Sequence, residues 1–68
     1  MNYNELNEYV KNVNLHFNAT YVIAHIDEVN NIVKLYNYIN DDVRYCTYIE
    51  NIGWCWCNAQ KQTLFAFE

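Results

Sequence analysis

From Val43 to Glu50 the chain alternates with a period of two, with Val43, Tyr45, Thr47 and Ile49 pointing one way and Arg44, Cys46, Tyr48 and Glu50 the other. That is the pattern of a half-buried strand. Two more aromatic and β-branched runs follow, Gly53 to Asn58 and Thr63 to Phe67, with turn residues between them at Asn51-Ile52-Gly53 and Ala59-Gln60-Lys61-Gln62. The last third of the sequence therefore reads as an antiparallel meander, and the first two thirds have to cover one of its faces.

Ahead of the meander, Tyr3, Leu6, Val10, Val13 and Phe17 recur at helical spacing. Asn2 followed by Glu5 resembles a capping box, and Asn18 is a suitable stop because asparagine tolerates the left-handed conformation beyond a helix end. Ala19 to Ile26 is apolar on both alternations, as expected of a strand inside a sheet. Asp27 to Asn40 fits two descriptions. Val29, Ile32, Val33, Tyr36 and Ile39 share a helical face behind an Asp27 cap, whereas Asn30-Asn31 could instead turn a hairpin. The adjacent apolar pairs Ile32-Val33 and Leu35-Tyr36 break strict alternation and favour the helix. The expected fold is α+β, with two short helices packed on a small antiparallel sheet in the order α-β-α-β-β-β; the alternative is one helix on a five-stranded antiparallel sheet.

With 68 residues there is room for a single domain and one core, and a chain of this size buries only about 60% of its unfolded surface. Hydrophobic residues make up 53% and charged residues 18%, far from the signature of disorder. The absence of proline and the single glycine, Gly53, leave no linker and no glycine-rich phosphate cradle. The start, Met1 to Leu6, lacks a basic or apolar leader, and no run approaches the roughly 20 apolar residues of a membrane span. Cys46, Cys55 and Cys57 are an odd number of thiols, expected to stay reduced. We therefore expect a cytoplasmic protein with no membrane partner.

Eight acidic residues against four basic ones give a net charge of -4, which provides no footprint for a phosphate backbone and argues against direct nucleic-acid binding. Asparagine and tyrosine are abundant while proline, glycine and arginine are scarce, as A+T-rich codons produce. Lysine shares those codons yet occurs only at positions 11, 34 and 61, a hint that positive charge is unwelcome on this surface.

Cys55 and Cys57, two apart in a strand, could face a ligand together with Cys46 and either His16 or His25. The spacing does not match the paired knuckles of structural zinc sites, so we expect small buried cysteines and no metal or other cofactor. A cysteine nucleophile would need a nearby cation or helix N-terminus, and none is close in sequence; no enzymatic activity is expected. The remaining constellation suits a partner site. The carboxylates of Glu5, Glu8, Asp27, Glu28, Asp41, Asp42 and Glu50 could form a discontinuous negative strip that imitates phosphates, with Tyr48, Trp54 and Trp56 supplying aromatic contacts. The expected function is that of a small acidic inhibitor of a larger host protein that binds nucleic acid, of the kind phages and mobile elements use against defence. The alternative is a structural or adapter module that forms a homodimer or larger oligomer through an aromatic sheet face.

Overall fold

A computed structural model describes residues 3–58 of the chain. It contains one helix, α1 (Tyr3–Phe17), followed by four strands: β1 (Tyr21–Asp27), β2 (Ile32–Asn37), β3 (Asp42–Ile49) and β4 (Gly53–Cys57). The strands form an antiparallel sheet in their sequence order. The α+β class is as expected, with one helix in place of two. Asn2 and the anticipated strand Thr63 to Phe67 lie outside the described residues.

The helix follows from its apolar spacing. Leu6, Val10 and Val13 are buried on one stripe, while Tyr3 and Phe17 at the two ends remain about half exposed. Asn18 ends it as anticipated, with φ at 51°, and the Ala19 N–H reaches back to the Asn14 carbonyl at 2.9 Å. That bond is the 6→1 contact of a Schellman motif. Asn14 holds the following strand as well: its Nδ2 donates to the Tyr21 carbonyl at 3.0 Å and its Oδ1 accepts from the Tyr21 N–H at 2.8 Å.

The helix expected over Asp27 to Asn40 is instead a hairpin turn followed by β2. Asp27 accepts from the Asn30 N–H at 3.1 Å and from Asn30 Nδ2 at 2.8 Å, and Asn31 takes a left-handed φ of 55°, which a helix interior does not allow. Beyond the turn, burial has period two: Val33, Leu35 and Asn37 are buried under α1, while Ile32, Lys34 and Tyr36 are half-buried on the other face. Ile32 and Tyr36 are apolar although they lie on the face away from α1. The apolar residues of β2 therefore fall on both alternations and imitate a helical stripe.

A second expectation also changes. The Ala19 to Ile26 run does not lie inside the described sheet, because β1 pairs with β2 alone and occupies an edge. The register slips between Ile23 and His25, leaving Ala24 as the extra residue of a bulge. Val22, Ala24 and His25 are exposed.

The core lies between α1 and one face of the sheet. Leu6, Val10 and Val13 meet Tyr21, Val33, Leu35, Cys46, Trp54 and Trp56, with Tyr9, Ile23, Ile26 and Tyr48 packed around them. Cys46 stands opposite Trp56, and Tyr48 opposite Trp54, across the β3–β4 ladder. Antiparallel partners share a face, so these four point toward the helix and Cys55 and Cys57 point away from it.

Candidate functional site: the acidic turn end

In a meander of four strands, the β1–β2 and β3–β4 turns come to the same end of the sheet, about 10 Å apart at two strand spacings. Asn31 ties them together. Its Nδ2 donates to the Tyr48 carbonyl at 2.7 Å and its own carbonyl accepts from Thr47 Oγ1 at 2.6 Å. The start of α1 reaches the same end, where the Tyr3 hydroxyl donates to Glu28. Five of the anticipated carboxylates, Glu5, Glu8, Asp27, Glu28 and Glu50, therefore sit on the first two turns of the helix and on these two hairpin turns. No lysine or arginine occurs in the segments that build this end, residues 3–8, 26–33 and 48–54. Glu5 stands in the first turn of α1, where the helix dipole favours a negative charge. Hydrogen bonds from the Asn30 side chain and backbone hold the Asp27 carboxyl below its ordinary range, so it stays ionised.

Asp41 and Asp42 lie apart from the other five, at the opposite end of a molecule about 30 Å long, in the β2–β3 turn and at the start of β3. The Tyr36 hydroxyl donates to Asp41. Asp42 accepts from the Tyr21 hydroxyl and from Arg44 Nε, the latter at 3.0 Å. Those two partners hold its carboxyl below the usual range. The carboxylates thus form two groups at opposite ends, and not one strip.

The aromatic candidates belong to the core. Trp54 and Trp56 are 7% and 9% exposed beneath α1, and Tyr48 packs edge-on against Trp54 with ring centroids 5.5 Å apart. In a strand reading Gly-Trp-Cys-Trp-Cys, the tryptophans had to share one face, and that is the face the helix covers.

Two surface residues at the acidic end were not anticipated. Val29, at the tip of the β1–β2 turn, is 94% exposed, and Ile52, in the β3–β4 turn, is 72% exposed. A signal for the first was present in the sequence. Asp27-Glu28-Val29-Asn30-Asn31 and Asn37-Tyr38-Ile39-Asn40-Asp41, ten residues apart, share the pattern of an Asx residue, any residue, a β-branched aliphatic, asparagine and a second Asx. Both segments form four-residue hairpin loops. Each puts its fifth residue in the left-handed region, Asn31 at 55° and Asp41 at 60°, and each exposes its third.

The cysteines do not converge. Cys46 faces α1 and the other two face away, and among the described residues no group of three His, Cys, Asp or Glu side chains is placed to hold a metal ion. Burial pushes the Cys46 thiol up to about 12, which keeps it protonated and a poor nucleophile. His16 and His25 are exposed, His16 edge-on to the Phe17 ring at 4.7 Å. No helix among the described residues is long and apolar enough to cross a membrane. Comparison with protein-family models, with curated proteins and with solved structures finds no match.

Proposed function

We propose that this chain is a small non-catalytic binding protein that docks by its acidic turn end on a larger protein and inhibits it, the partner being one that handles nucleic acid. The supporting observation is that five carboxylates and the exposed side chains of Val29 and Ile52 lie at one end of the fold, on segments that hold no lysine or arginine. Charge of one sign accelerates encounter with a basic surface, and a desolvated aliphatic centre slows release. Surfaces that bind phosphate backbones are basic by necessity, so a nucleic-acid-handling protein offers the complementary charge. An A+T-rich coding bias suits a phage or mobile element acting on a low-G+C host.

The test is capture from a low-G+C bacterial lysate at low and moderate salt with two baits, the unaltered chain and the triple variant Glu5→Gln, Glu28→Gln, Glu50→Gln. A nucleic-acid-handling protein held by the first bait, weakened by salt and lost from the second supports the proposal. Equal retention of that protein by both baits would sink it.

A second reading, self-association through the sheet, rests on a different surface. On the face away from α1, Val22 and Val43 are 44% and 38% exposed beside half-buried Tyr36 and Tyr45, and the carboxylates that reach it among the described residues, Asp27 and the Tyr36-bonded Asp41, stand at its ends. Two copies of an acidic chain could meet there with little repulsion. Sedimentation of the purified protein separates the readings, because a dimer formed this way is insensitive to salt and lost on Val43→Glu.

A further inference from the structure

The end opposite the acidic turns holds a concavity of about 350 Å3 between the C-terminus of α1 and the sheet, within the roughly 300–1,000 Å3 typical of small-molecule sites. Its wall combines a flat surface with fixed hydrogen-bonding groups. The Arg44 guanidinium lies over the Trp56 ring, 5.9 Å from its centroid, and its Nε is fixed by Asp42 Oδ2 at 3.0 Å. Arg44 lines the cavity with its side chain 54% exposed, so the flat guanidinium is open to a ligand there. Phe17, half exposed, stands at the mouth.

Asn37 lines the same cavity although it is only 5% exposed. Its Oδ1 accepts from Thr20 Oγ1 at 2.7 Å and from the Ile39 N–H at 3.0 Å. The backbone donor fixes which end of the amide is oxygen, so Nδ2 is the end left over, and among the described residues no acceptor meets it. Asn40 at the rim is similar, with its Oδ1 taken by the Asp42 N–H at 3.0 Å. One oxygen of Asp42 receives both Tyr21 and Arg44, which leaves the other as an acceptor.

These groups select among ligands. Arg44 and Asp42 cancel, so the cavity lining carries no net positive charge to hold an anion. An aliphatic ligand would leave the amides unanswered. A flat, uncharged molecule with donors and acceptors along one edge satisfies all of them, since bases stack on guanidinium planes and on aromatic rings and are read along their edges by amides and carboxylates. We propose that this concavity binds the base of a free nucleoside, stacked on Arg44 with its edge against Asn37 and Asp42. The site is independent of the acidic turn end.

The experiment is titration of the 15N-labelled full chain with adenosine, inosine, cytidine and uridine, and with their 5′-monophosphates, followed through the backbone, asparagine side-chain and tryptophan indole resonances. At least one nucleoside is expected to shift the Asn37 Nδ2 and Trp56 signals saturably, and its monophosphate to bind more weakly. Arg44→Lys keeps the charge and removes the flat surface, and should weaken binding by about tenfold, the scale of losing one stacking contact. The absence of saturable shifts with all four nucleosides overturns the proposal, whatever the variant does; so does undiminished binding by a folded Arg44→Lys protein.

Discussion

The side-chain amide of Asn14 and the main chain of Tyr21 pair through both of their groups, Nδ2 to O at 3.0 Å and N–H to Oδ1 at 2.8 Å. The last turns of α1 are thereby fastened to the first residue of β1, and the Asn14 carbonyl also receives the Ala19 N–H that closes the helix. Replacing Asn14 with alanine leaves two partly buried backbone groups unanswered, at about 1–3 kcal/mol for such a loss. Asn14→Asp should cost at least as much, because a carboxylate would then face the Tyr21 carbonyl. Urea unfolding of the two variants measures both.

The left-handed residues of the hairpins allow a sharper test of the corrected fold. Asn31, with φ at 55°, should accept glycine with little loss apart from its bond to Tyr48, whereas Asn31→Val should lose about 1–2 kcal/mol more through its Cβ. Were residues 27–40 helical, the order would reverse, since valine outranks glycine in a helix. Thermal unfolding of the pair decides between them.

Acid stability should reflect Asp27 and Asp42. Both carboxyls are held below their ordinary range, Asp27 by Asn30 and Asp42 by Tyr21 and then Arg44. A depressed folded pKa adds stability above the unfolded value, about 3.9 for aspartate, and that share disappears as pH falls through the folded value. Stability from these two groups should be level above about pH 5 and decline from about pH 4 downward. In Asp42→Asn the acid slope should be shallower, as denaturant midpoints taken across the acid range would record.

The alkaline side has the opposite sign. Burial raises Cys46 to about 12 and raises Tyr21, chiefly by desolvation and then by its bond to Asp42. Groups with raised folded values stabilise below their unfolded pKa, about 8.5 for cysteine and 10 for tyrosine, and lose that share as pH climbs toward the folded value. Unfolding should become easier from about pH 9, and Cys46→Ala, though less stable at neutrality, should show a later and smaller alkaline decline in urea midpoint.

How far the fold was legible depended on where each element sits. α1 could be read because one side of it faces solvent, so Leu6, Val10 and Val13 stand out against asparagine and glutamate. β3 and β4 were legible from their aromatic and β-branched runs and the turn residues between them, although their burial does not alternate. β2 was misread because Ile32 and Tyr36 put apolar residues on its outer alternation beside Val33 and Leu35 on the inner one, and β1 because an apolar run does not reveal that Val22 would remain exposed at an edge of the described sheet. Within the candidate site, the carboxylates at turns and helix start could be found from charge alone. Which face of β4 the helix would cover decided the fate of Trp54 and Trp56, and that is a property of tertiary packing with no trace in local pattern.

Among the described residues β1 forms an edge of the sheet, and this has a further consequence for how the chain behaves in a crowd. A bare strand edge is a template on which other chains can polymerise. Here the Asn14 amide takes the main-chain groups of Tyr21 that an incoming strand would use, and the bulge at Ala24 bends the strand beyond it. Both features oppose the addition of another strand along this edge, the first through a single asparagine of the neighbouring helix.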